Sequence, residues 1–480
     1  GIALIFALAI AAMYAILTAV MPRSGGDYVF NSRILHPSIG FGFNFSLTVW
    51  QLFSAAFTLY FIANVALGPG LQVLGFFAGV QWISQLGLVL ERPIDSFVFA
   101  SVVNILFALI MLSGIRKTFT ALNALWGLTI VGTIVMIYSL ITSTAARFQS
   151  SFNSFVFASN GTSSVANPFS FVVQNGSPLA PPFVLAIPAV AICASSVIWV
   201  FWETYVSGEV RHANQVRRNL STMAGAGILN GALFALLIFL LYRVIGSQFL
   251  TAVTNPFLPG SLFSSPIQAV TAVLVLASGN LYSATILILA ITLGTTVLLL
   301  PALYLQPIRS VFAWSFDRIV PERMSAVSSR FHTPLVTTII LSAVVEIMLV
   351  EITVFSSSLV QIFYAVIIGP AFSSIFPTSI SAIVIGFRRK DLLGAQIKTK
   401  SYVLSILGVV SLGFILFMTY IFLANESIFF FSTAFNSDLL VVLNFAFIPI
   451  GVLIYFASYA ARKSKKMIDL NKIVMEIPPE

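Results

Sequence analysis

The sequence predicts an all-α polytopic membrane protein with eleven membrane-spanning helices. Three observations carry that expectation. Hydrophobic residues make up 59% of the chain and charged residues only 8%, with a mean hydropathy of +1.02, a balance foreign to soluble domains of this length. Apolar runs of about 20 residues, enough to cross roughly 30 Å of hydrocarbon, recur eleven times. The basic residues fall almost wholly in alternate connections between those runs.

The runs lie, in order, at about residues 3–21, 41–67, 97–115, 124–141, 183–202, 224–245, 285–308, 335–354, 359–385, 402–424 and 439–460. Residues 266–277 are apolar too, but that stretch is too short to span and is expected to lie along the outer face or to re-enter. Orientation follows from Lys and Arg, because positively charged connections stay in the cytoplasm. Of the 24 basic residues, 21 fall on one side, from Arg23 and Arg33 to the tail with Arg462, Lys463, Lys465, Lys466 and Lys472. Only Arg92, Arg147 and Arg243 fall on the other. The C-terminus is therefore expected in the cytoplasm, and the net charge of +9 reads as a topology signal, with no nucleic-acid partner implied.

Other residue classes narrow the function. The single cysteine, Cys193, excludes an intrachain disulfide and is expected to pack inside its span. His36, His212 and His332 stand in separate connections without metal-ligand spacing. Acceptor patterns for glycosylation begin at Asn160, Asn175 and Asn425, all on the expected outer side. No phosphate-binding G-x-x-x-x-G-K-[ST] motif occurs, which argues against a nucleotide-driven pump within this chain.

Three stretches carry a family resemblance. Pro22-Arg23-Ser24-Gly25-Gly26-Asp27-Tyr28, with Leu35-His36-Pro37-Ser38-Ile39-Gly40-Phe41 behind it, resembles the P-R-S-G-G-x-Y...L-H-P-x-x-G-F signature that follows the second helix of amino acid permeases in the amino acid-polyamine-organocation (APC) superfamily. Arg309 to Pro321, continued by Phe331-His332-Thr333-Pro334, resembles the family's R-x-x-x-A-x-x-R-D-G-x-x-P loop after the eighth helix. Gly208-Glu209-Val210, followed by Arg217-Arg218-Asn219, resembles the stretch after the sixth. The resemblance implies a further helix ahead of the first apolar run, and Gly1 is not an initiator Met, so the sequence is expected to begin at the family's second helix.

The resemblance also implies a LeuT-like 5+5 inverted repeat plus two C-terminal helices. Residues 1–142 would hold the remainder of the first repeat, 143–182 an extracellular loop, 183–390 the second repeat, 391–461 the two extra helices and 462–480 a basic cytoplasmic tail. The function implied is secondary active transport of amino acids or related small amines across the plasma membrane by alternating access, without enzymatic chemistry or a cofactor. The competing reading is a transport-inactive, permease-like scaffold or partner subunit of a membrane complex.

Such transporters bind substrate at the bilayer midplane, where interrupted helices leave backbone groups free. The small residues Ala194, Ser195 and Ser196 mark the expected interruption of the sixth family helix. Ser195, Ser196 and Trp199, with Gln51 and Ser54 of the third helix, are the candidate substrate contacts. Glu203 is the first coupling candidate because an intramembrane carboxylate is costly; Glu346, the other deep carboxylate, is expected to bond a neighbouring helix. Thr295 and Thr296 are candidates for a sodium site, so the coupling ion is read as H+ or Na+. Gly369 and Pro370, with Pro377, are expected to bend or break the tenth helix as a gate.

Overall fold

In the computed structural model the described residues are 1–160, 166–175, 182–253, 266–328, 333–354, 359–393, 401–424 and 437–464. Among them there are helices and turns but no strand. Helices suit an apolar solvent because each satisfies its own backbone polar groups within the segment. Among the described residues eleven helices are long and apolar enough to cross a membrane, one for each predicted run.

The chain opens with α1 (Ile2–Val20), a short buried α2 (Asp27–Ile34) and α3 (Pro37–Phe61). Pro37 stands at the first position of α3, where its missing N–H costs nothing, and the His36 side chain accepts from the Ser38 amide. A π-helical segment, Ile62–Leu67, joins α3 to α4 (Gly68–Ala78). Then come α5 (Gln81–Leu90), α6 (Pro93–Leu112) and α7 (Ile115–Thr142). The stretch expected as a loop is largely helical: α8 (Ala145–Asn160) and α9 (Pro168–Asn175) fill most of it. Phe148, Phe152 and Phe155 of α8 lie on one face and are buried, the i, i+4, i+7 spacing of an amphipathic helix.

The second half begins with α10 (Pro182–Val197), which passes into a tighter 3-10 segment, Ile198–Glu209. It continues with α11 (Val216–Val244), α12 (Ser247–Val253), α13 (Pro266–Ala277) and α14 (Leu281–Leu289). A second π segment, Ala290–Val297, leads into α15 (Leu298–Phe316). The last helices are α16 (Leu335–Val354), α17 (Leu359–Arg388), α18 (Ser401–Ala424) and α19 (Ser437–Ser464).

Packing falls into two groups. Helix α1 lies against α10, the 3-10 segment, α11 and α18, whereas α3 lies against α15, α16, α17 and α19. Helix α17 joins the groups by packing on both α3 and α18. The two π segments touch each other, and the second crosses α7 closely: a Cβ on Gly132 would fall 2.0 Å from the Ala290 Cβ, and one on Gly294 would fall 2.5 Å from the Thr129 hydroxyl. Small residues permit such close helix approach where apolar surroundings supply no hydrophobic drive.

Two expectations need correction. Helix α17 runs unbroken through Pro370 and Pro377, so the expected break is absent; the Ser54 hydroxyl of α3 reaches the Val366 carbonyl at 3.4 Å, the group that Pro370 leaves without its helical donor, and neighbouring groups of this kind let a packed span tolerate proline. Cys193 is exposed on α10, where Ile187 and Ile192 are exposed as well. The short apolar stretch forms α13, which packs on α4 and is largely buried over residues 268–277. The acceptor asparagine side chains at 160, 175 and 425 lie outside the described residues.

Candidate functional site

The three family-like stretches, far apart in sequence, meet on the face of the molecule that carries the basic connections. The turn after α1 contains Gly25 and Gly26 at φ values of 109° and 53°, a region that L side chains seldom adopt. The turn is also clamped. A Cβ on Gly25 would lie 2.9 Å from the Ala313 Cβ, and one on Gly26 would lie 2.7 Å from the Tyr205 ring. The Gly25 amide donates to the Tyr205 carbonyl at 3.3 Å, and the Ser207 hydroxyl donates to the Arg23 carbonyl at 3.0 Å. The double glycine thus lets α15 and the 3-10 segment close on one turn.

Beside the turn, Arg33 and Asp317 form a two-pronged ion pair, with Nη1 on Oδ2 at 2.8 Å and Nη2 on Oδ1 at 2.9 Å. The side chains are only 2% and 3% exposed. The Tyr28 hydroxyl donates to the same carboxylate at 2.5 Å. Burial works against the Arg33 charge, but Asp317 and Tyr28 hold its pKa above the ordinary value. Burial, then Asp317, pushes the Tyr28 phenol well above its ordinary range, so it remains a donor. Arg389, just beyond α17, donates to the Arg33 carbonyl at 2.7 Å, and Arg309 pairs with Glu209 at 2.5 Å nearer the surface. Together these contacts latch α2, α15, α17 and the 3-10 segment to one another.

A second polar layer lies beneath the latch. Asp27 is 1% exposed, and its Oδ1 accepts from the Asn44 amide at 2.9 Å. Asn44 in turn accepts from the Trp314 indole at 3.0 Å. The Tyr14 hydroxyl bonds Ser374 at 2.7 Å, and Asn31 bridges Thr378 and Ser381 of α17. Burial pushes the Asp27 carboxyl up to about 6, against the opposing pull of the Ser374 and Tyr205 hydroxyls and the Asn44 amide. Its Oδ2 and the Tyr205 hydroxyl are neighbours, yet neither closes a hydrogen bond of normal geometry.

The candidate substrate residues divide into two places. On α10 the regular winding ends at Val197, with Trp199 non-helical at φ −78° and ψ 16°; the interruption thus falls just after the Ala194–Ser196 triplet. The carbonyls there are occupied by side chains of the protein: the Trp199 indole donates to the Ser195 carbonyl at 2.6 Å, and the Asn230 amide donates to that of Ser196 at 3.0 Å. On α3, Ser54 donates to the Trp50 carbonyl at 2.8 Å and reaches the Val366 carbonyl of α17 at 3.4 Å. Gln51 is 1% exposed, and its Oε1 has no hydrogen-bond partner. Gly369 admits the Trp50 ring, which a Cβ would approach to 2.5 Å, and Pro370 is buried beside it.

The coupling candidates are more scattered. Glu203 is half-buried and makes no hydrogen bond or ion pair among the described residues. Thr295 and Thr296 lie in the second π segment, with side chains outside the described residues. Glu346 does bond a neighbouring helix, accepting from Asn104 at 2.7 Å and Ser101 at 2.8 Å of α6. Residues that the sequence did not single out, namely Asp27, Arg33, Asp317, Tyr14 and Tyr205, build the most connected polar site. Their signal was present, since four of the five fall within or beside the quoted motifs.

A sequence model of the family described as amino acid permease matches residues 1–454. No curated protein matches the chain. The match spans both helix groups and every part of the latch, and the chain belongs to the amino acid permease family of the APC superfamily.

Proposed function

We propose that the protein is a secondary active transporter that carries amino acids or related small amines across the plasma membrane by alternating access, with its C-terminus in the cytoplasm. The observation that carries this reading is the interruption at Val197–Trp199 inside an otherwise membrane-spanning helix, in a chain of the permease family. An interrupted helix presents carbonyls and N–H groups at membrane depth, where a zwitterionic substrate finds partners for its ammonium and carboxylate. In the present conformation the Trp199 indole and the Asn230 amide hold the Ser195 and Ser196 carbonyls. Substrate would displace those donors.

The latch fits the same cycle. On this reading residues 1–142 and 183–390 are the inverted repeats, and the basic face is the cytoplasmic gate, closed here by Arg33, Asp317, Tyr28 and the Arg309–Glu209 pair. No covalent step is required. Gln51 and Ser54 line the path between α3 and α17, Gly369 and Pro370 form the contact over which those helices rock, and Glu203, Thr295 and Thr296 remain the coupling candidates for H+ or Na+. Uptake of labelled amino acids into proteoliposomes, with pH and sodium gradients varied separately, tests the proposal. Saturable uptake that Ser196→Trp abolishes is the expected result; no uptake by verified, folded protein would favour a scaffold or partner subunit instead.

A further inference from the structure

We propose that Asp27 is a proton-binding site whose occupancy sets whether the latch on the basic face closes. The site is assembled from five directions. Asp27 comes from α2, Asn44 from α3, Tyr205 from the 3-10 segment, Ser374 from α17 and Tyr14 from α1. These elements belong to both packing groups, so the site exists in this form only while the groups are together on this face.

Among the described residues the carboxylate has no basic partner. Arg33, on the same helix, is committed to Asp317 by two hydrogen bonds, and Arg309 of α15 pairs with Glu209 of the 3-10 segment. His36, at the start of α3, bonds Ser38. The titratable groups that act on Asp27's immediate surroundings are Tyr14 and Tyr205, and no basic side chain figures among the groups that shift its carboxyl. An unpaired buried carboxylate is far from its preferred solvent, and neutralisation by a proton is the usual relief. One oxygen, Oδ2, has no partner, and the adjacent Tyr205 hydroxyl has none either. Protonation at Oδ2 removes the charge without changing the Asn44 bond at Oδ1. Opening of the latch would return the carboxylate to water, where it ionises readily. Proton binding and closure therefore favour each other by linkage. With the carboxyl pushed up to about 6 in this closed form from its ordinary 3.8, which a water-exposed carboxylate would regain on opening, the closed-to-open ratio changes by up to about 100-fold between acid and neutral pH.

The site rests on taking the latch as the gate of the proposed function, but its test does not need transport. The full chain in lipid vesicles, as Cys193→Ala with Ser381→Cys, is studied by infrared difference spectroscopy for a protonated carboxylic acid and by reaction of the introduced thiol with a water-soluble reagent; Ser381 is fully buried and bonded to Asn31 of α2. The expected result is a carboxylic acid band that titrates near pH 6, is absent in Asp27→Asn and persists in Glu91→Gln, the control for the other carboxyl that burial pushes up, to about 7. The introduced thiol should react faster as the pH rises, beyond the rise of a free thiol under the same conditions, and that excess should vanish in Asp27→Asn. Because the Tyr205 hydroxyl lowers the Asp27 pKa, Tyr205→Phe should raise the midpoint, which keeps the test open if Asp27→Asn fails to fold. A band that is unchanged in Asp27→Asn, or thiol reactivity that follows sodium at fixed pH and ignores the proton, overturns the proposal. Uptake that is absent while the band titrates sinks only the transport reading; saturable uptake with an unaltered band sinks only this site.

Discussion

Removing one partner of the Arg33–Asp317 pair should open the face that the pair holds shut. Asp317→Asn keeps the shape but leaves a guanidinium whose side chain is 2% exposed without its countercharge. Solvent screening offers no relief at that burial, and loss of one member of a buried pair costs about 3–5 kcal/mol. At about 1.4 kcal/mol per tenfold, the lower bound shifts the closed-to-open equilibrium more than about 100-fold. Labelling of Ser381→Cys in the Cys193→Ala background reads that shift, because Ser381 is buried against α2 in the closed form. The initial labelling rate in vesicles should rise by about two orders of magnitude. Arg33→Met combined with Asp317→Leu removes both charges and should recover most of the closed population, since an apolar replacement of a buried pair is often neutral. Equal labelling rates in wild type and Asp317→Asn, or single-mutant effects that simply add in the double mutant, would refute the claim that this pair holds the gate.

Three further outcomes are expected. Gly26→Ala forces a Cβ to within 2.7 Å of the Tyr205 ring at φ 53°, and the strain of about 1–3 kcal/mol should lower the melting temperature of purified protein and speed labelling of Ser381→Cys. Asp27 has a folded pKa raised to about 6 from 3.8; its stabilisation is present in full below about pH 4 and is lost as pH rises through about 6, a difference of about 3 kcal/mol that melting at acid and neutral pH should reveal in wild type and not in Asp27→Asn. Glu346→Leu strips an acceptor from Asn104 and Ser101 and should destabilise by about 1–3 kcal/mol, whereas Glu346→Gln, which keeps an oxygen, should cost clearly less by the same melting measurement.

Hydropathy made the spans legible because the bilayer imposes one length and one polarity on every crossing. It could not mark where helices stop. Helix α11 begins at Val216 and carries Arg217 and Arg218 in its first turn, eight residues ahead of the apolar run, because a helix continues readily where its polar residues reach water. The motifs were legible as labels, whereas their physical work depends on pairs such as Arg33 with Asp317, 284 positions apart, which no local pattern joins. Asp27 stood inside the first motif yet reads as an ordinary helix-start acid until Asn44, Tyr205 and Ser374 surround it. Ser195 and Ser196 were singled out as small residues at an expected interruption; at Ser196 it is the main-chain carbonyl that Asn230 reaches, and which donor finds a carbonyl has no signature in sequence.

The paired π segments at Ile62–Leu67 and Ala290–Val297 have a consequence for how these helices address their neighbours. A π turn closes i→i+5 and holds an extra residue, so whatever follows is rotated by about 100° relative to uninterrupted α winding. Before the segment, α3 turns Trp50 toward Gly369 of α17; after it, α4 turns Gln72 to Glu91 and Gly70 to Ile288 of α14. Loss of a single residue within Ile62–Leu67 would let that turn wind as α and leave Gly68–Ala78 on its partners, whereas loss of one residue from the regular winding between Trp50 and Phe61 would act as a crank and swing Gly68–Ala78 by about 100°. Each of these two spans is in effect two phase-shifted rods on one axis, free to serve a rigid neighbour with one half and a moving one with the other.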